Sequence, residues 1–214
     1  MLTRPDQSFY LAHFTKNGKE YDAGRALSSE SPVPLSKMSA REKLVSILKE
    51  KKIRANKVAW TDQSVVCFTE CPWSSLLRHA KAYSPYGIGF TKKLVYSRNG
   101  NPVFYVSPSL YEKENWNASV YPFVTPFVPA YAADNVKNRK PFYGKPVDYS
   151  HEREWRVAKD FPFQYTYVRF VILDKYEDLD YIPEEIRNEI GLDKFIFMDT
   201  YRKIEELWPT HIME

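Results

Sequence analysis

The chain has 214 residues, of which 43% are hydrophobic and 27% are charged, a composition typical of globular proteins and not of disordered ones. Its net charge of +4 is too small to indicate nucleic-acid binding by itself. Two cysteines argue against a secreted disulfide scaffold, and no apolar run approaches the ~20 residues of a membrane span. We therefore expect a single cytoplasmic domain over residues 1–214, without contact to a membrane.

The N-terminal half predicts two strands and two helices. Residues 9–15 and 65–69 have the short apolar pattern of strands. Between them, Ser39 and Glu42 form the pattern of a capping box, and apolar residues follow at helical spacing. A second helix is predicted to begin near Pro72, because proline is favoured in the first helical turn.

The C-terminal half predicts further strands and helices around an irregular middle segment. Residues 112–150 contain five prolines and match no regular element, which is common in binding loops and lids. Pro183 and Gly191 bracket a helix, and residues 201–207 form a last one. Because strands and helices mix without a regular βαβ alternation, the sequence predicts an α+β fold. Its expected central strands are 9–15, 64–69, 102–106, 153–158 and 166–173, with a further strand at 194–198.

Charge is distributed unevenly along the chain. Residues 37–57 carry eight Lys or Arg against two Glu, whereas residues 174–214 carry twelve acids against five Lys or Arg. A basic face can follow the phosphates of a nucleic acid, and Lys49, Lys51 and Lys52 are the candidate contacts. The alternative is an ordinary solvated helix face.

Two local clusters could carry chemistry. His13 and Thr15 lie at the end of an early strand, where period 2 places them on one face. On a strand, Glu154 would share a face with Glu152 and Arg156, and a carboxylate held beside cations can stabilise a developing positive charge. The alternative is a strand with cross-strand ion pairs. The sequence contains no P-loop, Rossmann, HExxH or GxSxG pattern, and its two cysteines are too few for a structural zinc.

The N-terminal segments resemble a known fold family. The sequence AHFT at 12–15, followed by LVSIL at 44–48 and IRA at 53–55, resembles the opening of ADP-ribosyltransferase-type folds. In that opening, a strand H-x-T precedes a helix L-x-x-I-L and a short second strand. FTECPWSSLL at 68–77 resembles the F-x-x-x-P-x-S-x-M-L stretch of DarT-like enzymes, which ADP-ribosylate DNA bases.

The C-terminal segments extend this resemblance. EWRV at 154–157, followed by FP at 161–162, is similar to the E-F-L-V…F-P segment that carries the catalytic glutamate of DarT-like enzymes. As a whole, the chain also resembles the AbiGi-type abortive-infection proteins of bacteria, with CFTE at 67–70 and GIGFTK at 87–92 as the most specific stretch. AbiGi-type proteins have been described as antitoxin partners.

The resemblance implies a split, strongly curved sheet that holds NAD⁺ as co-substrate in its cleft, without a metal. His13 and Thr15 would hold the adenosine-side ribose and its neighbouring groups. Glu154 would bind the 2′-hydroxyl of the nicotinamide ribose and stabilise the oxocarbenium-like transition state. Tyr83 or Tyr86 would stack on the nicotinamide. The matching catalytic arginine is not fixed by the resemblance, and its candidates are Arg54 and Arg78.

Three functions follow as hypotheses. The first is an NAD-dependent ADP-ribosyltransferase of a phage-defence or toxin–antitoxin system, acting on nucleic acid. The second is a catalytically silent binding module on the same fold, an antitoxin or sensor with a cognate toxin as partner. The third is a metal-dependent nuclease that uses Asp148 and Glu154. The first requires His13 and Glu154 to face one cleft.

Overall fold

The structure, a computed structural model, describes residues 8–22, 34–58, 60–70, 80, 83–136 and 144–207. The helix predicted to begin near Pro72, together with Arg78, lies outside these residues. Mixed helices and strands confirm the α+β class. The strands are β1 (Tyr10–Phe14), β2 (Lys52–Ile53), β3 (Asn56–Lys57), β4 (Ser64–Thr69), β5 (Gly87–Thr91), β6 (Asn101–Pro102), β7 (Phe104–Val106), β8 (Val124–Pro126), β9 (Glu154–Val157), β10 (Phe161–Pro162), β11 (Phe170–Leu173) and β12 (Phe195–Phe197).

Helices connect and flank these strands in the described part of the chain. The α-helices are α1 (Ala40–Glu50), α2 (Lys92–Ser97), α3 (Pro108–Lys113), α4 (Glu184–Ile190) and α5 (Met198–Leu207). The 3-10 helices are Tyr121–Phe123, Ala130–Val136, Ser150–Glu152, Tyr165–Tyr167, Tyr176–Tyr181 and Leu192–Lys194. The helices predicted at 183–191 and 201–207 are thus present with slightly different ends.

The capping box predicted for α1 is confirmed. The Ser39 hydroxyl accepts a hydrogen bond from the Glu42 amide at 3.1 Å, and the Ser39 amide donates to the Glu42 carboxylate at 2.6 Å. These two bonds satisfy amide groups that have no partner within the helix. The helix then buries Leu44 and Leu48 against the sheet, because residues four apart share one helix face.

An open, mixed sheet of eight strands organises the fold. Its order is β12-β11-β5-β1-β4-β9-β6, with β3 also pairing with β4. The pair β11–β12 is parallel, whereas the other strand pairs of this sheet are antiparallel. Two smaller sheets join β2 to β10 and β7 to β8.

The sheet has two halves, β12-β11-β5-β1 and β4-β9-β6, which meet where β1 lies along one edge of β4. The contact between these two halves is short. β1 pairs with β5 over five residues but with β4 only at Ala12 and Thr69. Further along the same edge, His13 Nδ1 lies 2.8 Å from the Cys67 carbonyl oxygen, and β3 pairs with Val65. The contact of the His13 ring with the Cys67 carbonyl therefore takes the place of a backbone hydrogen bond between β1 and β4.

One face of the sheet carries the main hydrophobic core. Phe68, Phe90 and Phe161 are buried there with ring centroids 5.1–6.3 Å apart in edge-to-face contacts, the arrangement that aromatic quadrupoles favour. Leu44 and Leu48 of α1 are buried in the same core. The high aromatic content of the sequence is used here for packing.

Two strand predictions need correction. Residues 102–106 are not a central strand: Pro102 belongs to the edge strand β6, and Phe104–Val106 pair with β8 in a separate sheet. Residues 166–173 are not one strand, because the first two of them belong to the 3-10 helix Tyr165–Tyr167 and β11 begins only at Phe170. The Tyr165 hydroxyl donates to the Leu48 carbonyl at 2.8 Å, a tertiary contact that local sequence does not encode.

β5 is a central strand that sequence patterning did not predict. Glycine is unfavourable in strands, and β5 contains Gly87 and Gly89. A Cβ at Gly89 would lie 2.2 Å from the Phe170 ring, and one at Gly87 would lie 3.2 Å from Phe14. The glycines are therefore explained by aromatic rings that pack directly on the strand.

Candidate functional site

A buried ion pair on β9 lies at the centre of the candidate site. Arg156 Nε donates to Glu154 Oε1 at 2.8 Å, and Arg156 Nη2 donates to Glu154 Oε2 at 3.0 Å. The side chains are 3% and 13% exposed, respectively. This two-pronged geometry matches the planar guanidinium to both carboxylate oxygens, so neither oxygen of Glu154 is without a partner.

The remaining donors of Arg156 bind the proline-rich middle segment. Nη1 donates to the carbonyl oxygens of Pro122 and Val124, and Nη2 donates to the Thr125 hydroxyl at 2.7 Å. The Glu154–Arg156 pair therefore joins β9 to residues 122–125 and has a clear structural role. Sequence reasoning placed Arg156 on the same face as Glu154 but did not identify it as the partner of this segment.

Cys67 lies opposite Arg156 in the pairing of β4 with β9. Burial, reinforced by the Glu154 carboxylate, raises the pKa of the Cys67 thiol far above its ordinary value. The thiolate is the nucleophilic form of cysteine, so Cys67 is not poised for covalent chemistry.

A second carboxylate lies two residues before Glu154. Glu152 is buried at the end of a 3-10 helix, not on the strand, and its Oε1 accepts from the Tyr83 hydroxyl at 2.7 Å. Burial raises the pKa of Glu152, while the Tyr83 hydrogen bond acts in the opposite direction. The residue between the two carboxylates, Arg153, adopts a left-handed conformation with φ of 46°. The Lys16 ammonium lies 5.4 Å from the centre of the Tyr83 ring.

Thr15 and Tyr86 are engaged in structural contacts. The Thr15 hydroxyl is buried and lies 2.8 Å from the carbonyl of Ala40 at the start of α1. The Tyr86 hydroxyl donates to Asp178 at 3.0 Å, and Asp178 also pairs with Arg41 at 3.1 Å. Both residues thus connect β-strand ends to helices.

His13 and Glu154 lie on opposite faces of the sheet. His13 pairs with the core residue Ile88, and its ring lies edge-on to the Phe68 ring at 6.0 Å. Thr69 follows Phe68 on β4, and successive side chains of a strand point to opposite faces. Glu154 pairs with Thr69, so Glu154 lies on the face opposite to Phe68 and His13. The structure does not bring these two candidate residues into one cleft.

Arg54 lies far along the sheet from Glu154. Arg54 follows β2, and its Nε donates to the Glu50 carboxylate at 3.0 Å. Two residues later, Asn56 of β3 pairs with Val65, near the start of β4. Glu154 pairs at the other end of β4, with Thr69. The arginine that contacts Glu154 is Arg156.

Polar groups of these side chains have hydrogen-bond partners within the chain. Both oxygens of Glu154 bind Arg156, the Thr15 hydroxyl binds the chain's own carbonyls, and the Tyr83 and Tyr86 hydroxyls each donate to a carboxylate. The Glu154 carboxylate and these three hydroxyls therefore have partners within the chain.

The candidate nucleic-acid contacts are partly neutralised by acids. Lys51 lies 3.7 Å from Glu189, and Lys52 lies 3.4 Å from Asp160. Lys49 is exposed at the end of α1. Two of the three proposed phosphate contacts thus also lie near a carboxylate of the chain, in exposed pairs that contribute little.

The described residues contain neither a cluster of metal-ligating side chains nor a membrane-spanning helix. Within them, no group of three or more His, Cys, Asp or Glu side chains could hold a metal ion. Asp148 accepts hydrogen bonds from Ser150, which lower the pKa of its carboxyl group. None of the helices in the same part of the chain combines the length and apolar character needed to cross a bilayer.

His13 predicts a defined dependence of stability on pH. Burial lowers its pKa below the ordinary value of 6.5, although the hydrogen bond to Cys67 acts in the opposite direction. Below pH 6.5, the unfolded chain binds a proton at His13 that the folded chain does not bind. The free energy of unfolding should therefore fall with falling pH, by at most about 1.4 kcal/mol per pH unit for this one proton.

The measurement is urea unfolding between pH 7.5 and 5.5, about one unit on either side of the ordinary histidine pKa. His13→Gln is the control, because glutamine can donate to the Cys67 carbonyl but does not titrate. The difference between the two curves isolates His13. A difference that is constant with pH would show that His13 titrates alike in both states.

The comparisons with known proteins identify one family. No curated protein and no solved structure matches the chain. A family profile described as "Putative abortive phage resistance protein AbiGi, antitoxin" matches residues 35–180, which include β9 and the Glu154–Arg156 pair. Since the match spans well over half of the 214 residues, the chain belongs to the AbiGi family of abortive phage-resistance proteins.

Proposed function

We propose that this protein is the non-catalytic antitoxin of a phage-defence system and acts by binding its cognate toxin. The observation that carries the proposal is the buried Glu154–Arg156 pair, which occupies both oxygens of the candidate catalytic carboxylate. The location of His13 on the other face of the sheet gives further support. The family description as an antitoxin agrees with this function.

The second candidate is an NAD-dependent ADP-ribosyltransferase that modifies nucleic acid. In its favour, Glu152 and Glu154 lie two residues apart beside Tyr83, and left-handed backbone such as that of Arg153 is concentrated at functional sites. Its chemistry would require the Glu154–Arg156 pair to open before the carboxylate could bind a ribose hydroxyl. Breaking a buried pair without a replacement partner is costly, which favours the antitoxin.

Toxin binding tests the proposal. We expect bacteria that produce the cognate toxin to resume growth when this protein is co-produced, because a stable complex removes free toxin. Titration calorimetry with the two purified proteins should give a saturable complex, with the same affinity whether or not NAD⁺ is present.

The controls separate binding from catalysis. Glu154→Gln keeps the shape of the side chain, and the folded variant should protect the cells as wild type does. Failure of wild type both to protect the cells and to bind the toxin would contradict the proposal. Protection that needs NAD⁺ and the Glu154 carboxylate would favour the transferase.

A further inference from the structure

An exposed face near the C-terminal end of β11 combines tyrosines with acids. It is formed by the 3-10 helix Tyr176–Tyr181 and the first turn of α4. Tyr176 is 66% exposed and Tyr181 is 48% exposed, so both rings are accessible to a partner. We call this surface the acidic tyrosine face, and its residues are Tyr176, Glu177, Asp180, Tyr181, Glu184 and Glu185.

The negative charge of this face is not compensated within the described chain. Residues 176–185 contain five acids and no Lys or Arg, although the whole chain has a net charge of +4. Asp178 is buried and pairs with Arg41. Among the described residues, the other four acids of this segment have no cation at ion-pair distance.

The cations of the basic stretch, residues 37–57, differ from these acids because most of them have a partner within the chain. Of the eight cations in this stretch, five lie within 3.0–3.7 Å of a carboxylate of the described chain: Arg41, Lys51, Lys52, Arg54 and Lys57. Part of the positive charge that the sequence suggests is thus paired with acids of the fold. The charge left available to a partner at the acidic tyrosine face is negative.

The acidic tyrosine face is held rigidly from below. Asp178 Oδ1 accepts from Arg41 at 3.1 Å, while Oδ2 accepts from the Tyr86 hydroxyl at 3.0 Å and from the Lys175 amide at 3.2 Å. Leu179 is buried in the main core beneath it. The Arg41 guanidinium lies 3.6 Å from the centre of the Tyr181 ring and holds that ring in place. A preorganised surface loses little conformational entropy when it binds.

From these observations we propose that the acidic tyrosine face is the docking surface for a basic protein surface, that of the cognate toxin. The inference rests on the proposed antitoxin function and adds where the toxin binds and by what chemistry. Exposed tyrosines supply the large, rigid contacts that dominate binding energy, and uncompensated acids steer a basic partner and set its orientation. The same charge repels nucleic-acid phosphates, so a protein is the fitting partner.

Charge reversal tests the proposal. In Glu177→Lys/Asp180→Lys, we expect the association rate constant with purified cognate toxin to fall at least about tenfold, because attraction between the two surfaces becomes repulsion. The salt dependence of association should weaken as well. Tyr176→Ala should instead raise the dissociation rate constant, since it removes contact area and leaves the charge unchanged.

The matched control is Glu112→Lys/Glu114→Lys. It changes the net charge by the same amount on α3 and the residue that follows. Helix α3 packs on β8, which binds Arg156 of β9, and three strands separate β9 from β11 in the sheet. We expect its association rate constant to stay within about twofold of wild type, as for charges away from an interface. Thermal melting of all variants verifies folding, and Glu184→Gln/Glu185→Gln serves as a milder second variant.

The outcomes separate this inference from the proposed function. Slower association of the face variants alone supports the docking surface. If wild type, face variants and control bind the toxin equally well, the docking surface is wrong and the antitoxin function stands. If wild type does not bind the toxin at all, both fail.

Discussion

Replacing Arg156 by methionine is expected to cost about 3–5 kcal/mol of the free energy of unfolding. The change leaves the Glu154 carboxylate, 13% exposed, without its cation. It also removes the donors to the Pro122 and Val124 carbonyls and to the Thr125 hydroxyl. Buried acceptors that lose their donors keep the full cost of desolvation. Urea unfolding measures the loss.

A double variant shows whether the cost comes from the unpaired charge. Glu154→Gln/Arg156→Met removes both charges, so it should recover a large part of the stability that Arg156→Met loses. Lys52→Met, which breaks the exposed contact with Asp160, should change stability by less than about 0.5 kcal/mol. If Arg156→Met is as stable as wild type, Glu154 is not held in the way described above.

Much of the fold could be predicted from local sequence. The capping box of Ser39 and Glu42 gave the start of α1, and apolar runs gave β1 and β4 to within a few residues. The expected strand at 153–158 likewise agrees with β9. These signals are local, because they depend on hydrogen bonds and side-chain spacing within one element. β5 was not predicted, since its glycines are explained by groups on other strands: the Phe170 ring at Gly89, and the His13 carbonyl and Phe14 ring at Gly87.

The candidate site was predicted in part. Sequence spacing placed Glu154 and Arg156 on one face of a strand, which the structure agrees with, but Glu152 lies before that strand begins. The partners of Arg156 at 122–125 are about thirty residues away in a proline-rich segment without a regular pattern. Long-range contacts of this kind leave no periodic signal in the sequence.

The sequence pattern could not predict whether His13 and Glu154 lie on the same face of the sheet, for a similar reason. Each side chain alternates along its own strand, but the faces of two strands are related only through their pairing register. The registers of β1 with β4 and of β4 with β9 pair Ala12 with Thr69 and Thr69 with Glu154, so His13, the neighbour of Ala12, lies on the other face. A one-residue shift in either register would have put both side chains on the same face.

The central claim is that Glu154 serves the fold and not the cleavage of NAD⁺. Its most direct test is label transfer from radiolabelled NAD⁺ to single-stranded oligonucleotides and to the cognate toxin, by wild type and by Glu154→Gln. A known ADP-ribosyltransferase verifies the assay, and thermal melting verifies that both forms are folded.

We expect no transfer by either form, because both oxygens of Glu154 are bound by Arg156. Transfer by wild type that falls about 10²–10³-fold in a folded Glu154→Gln, the usual loss when one electrostatic group of a transition state is removed, would contradict the account.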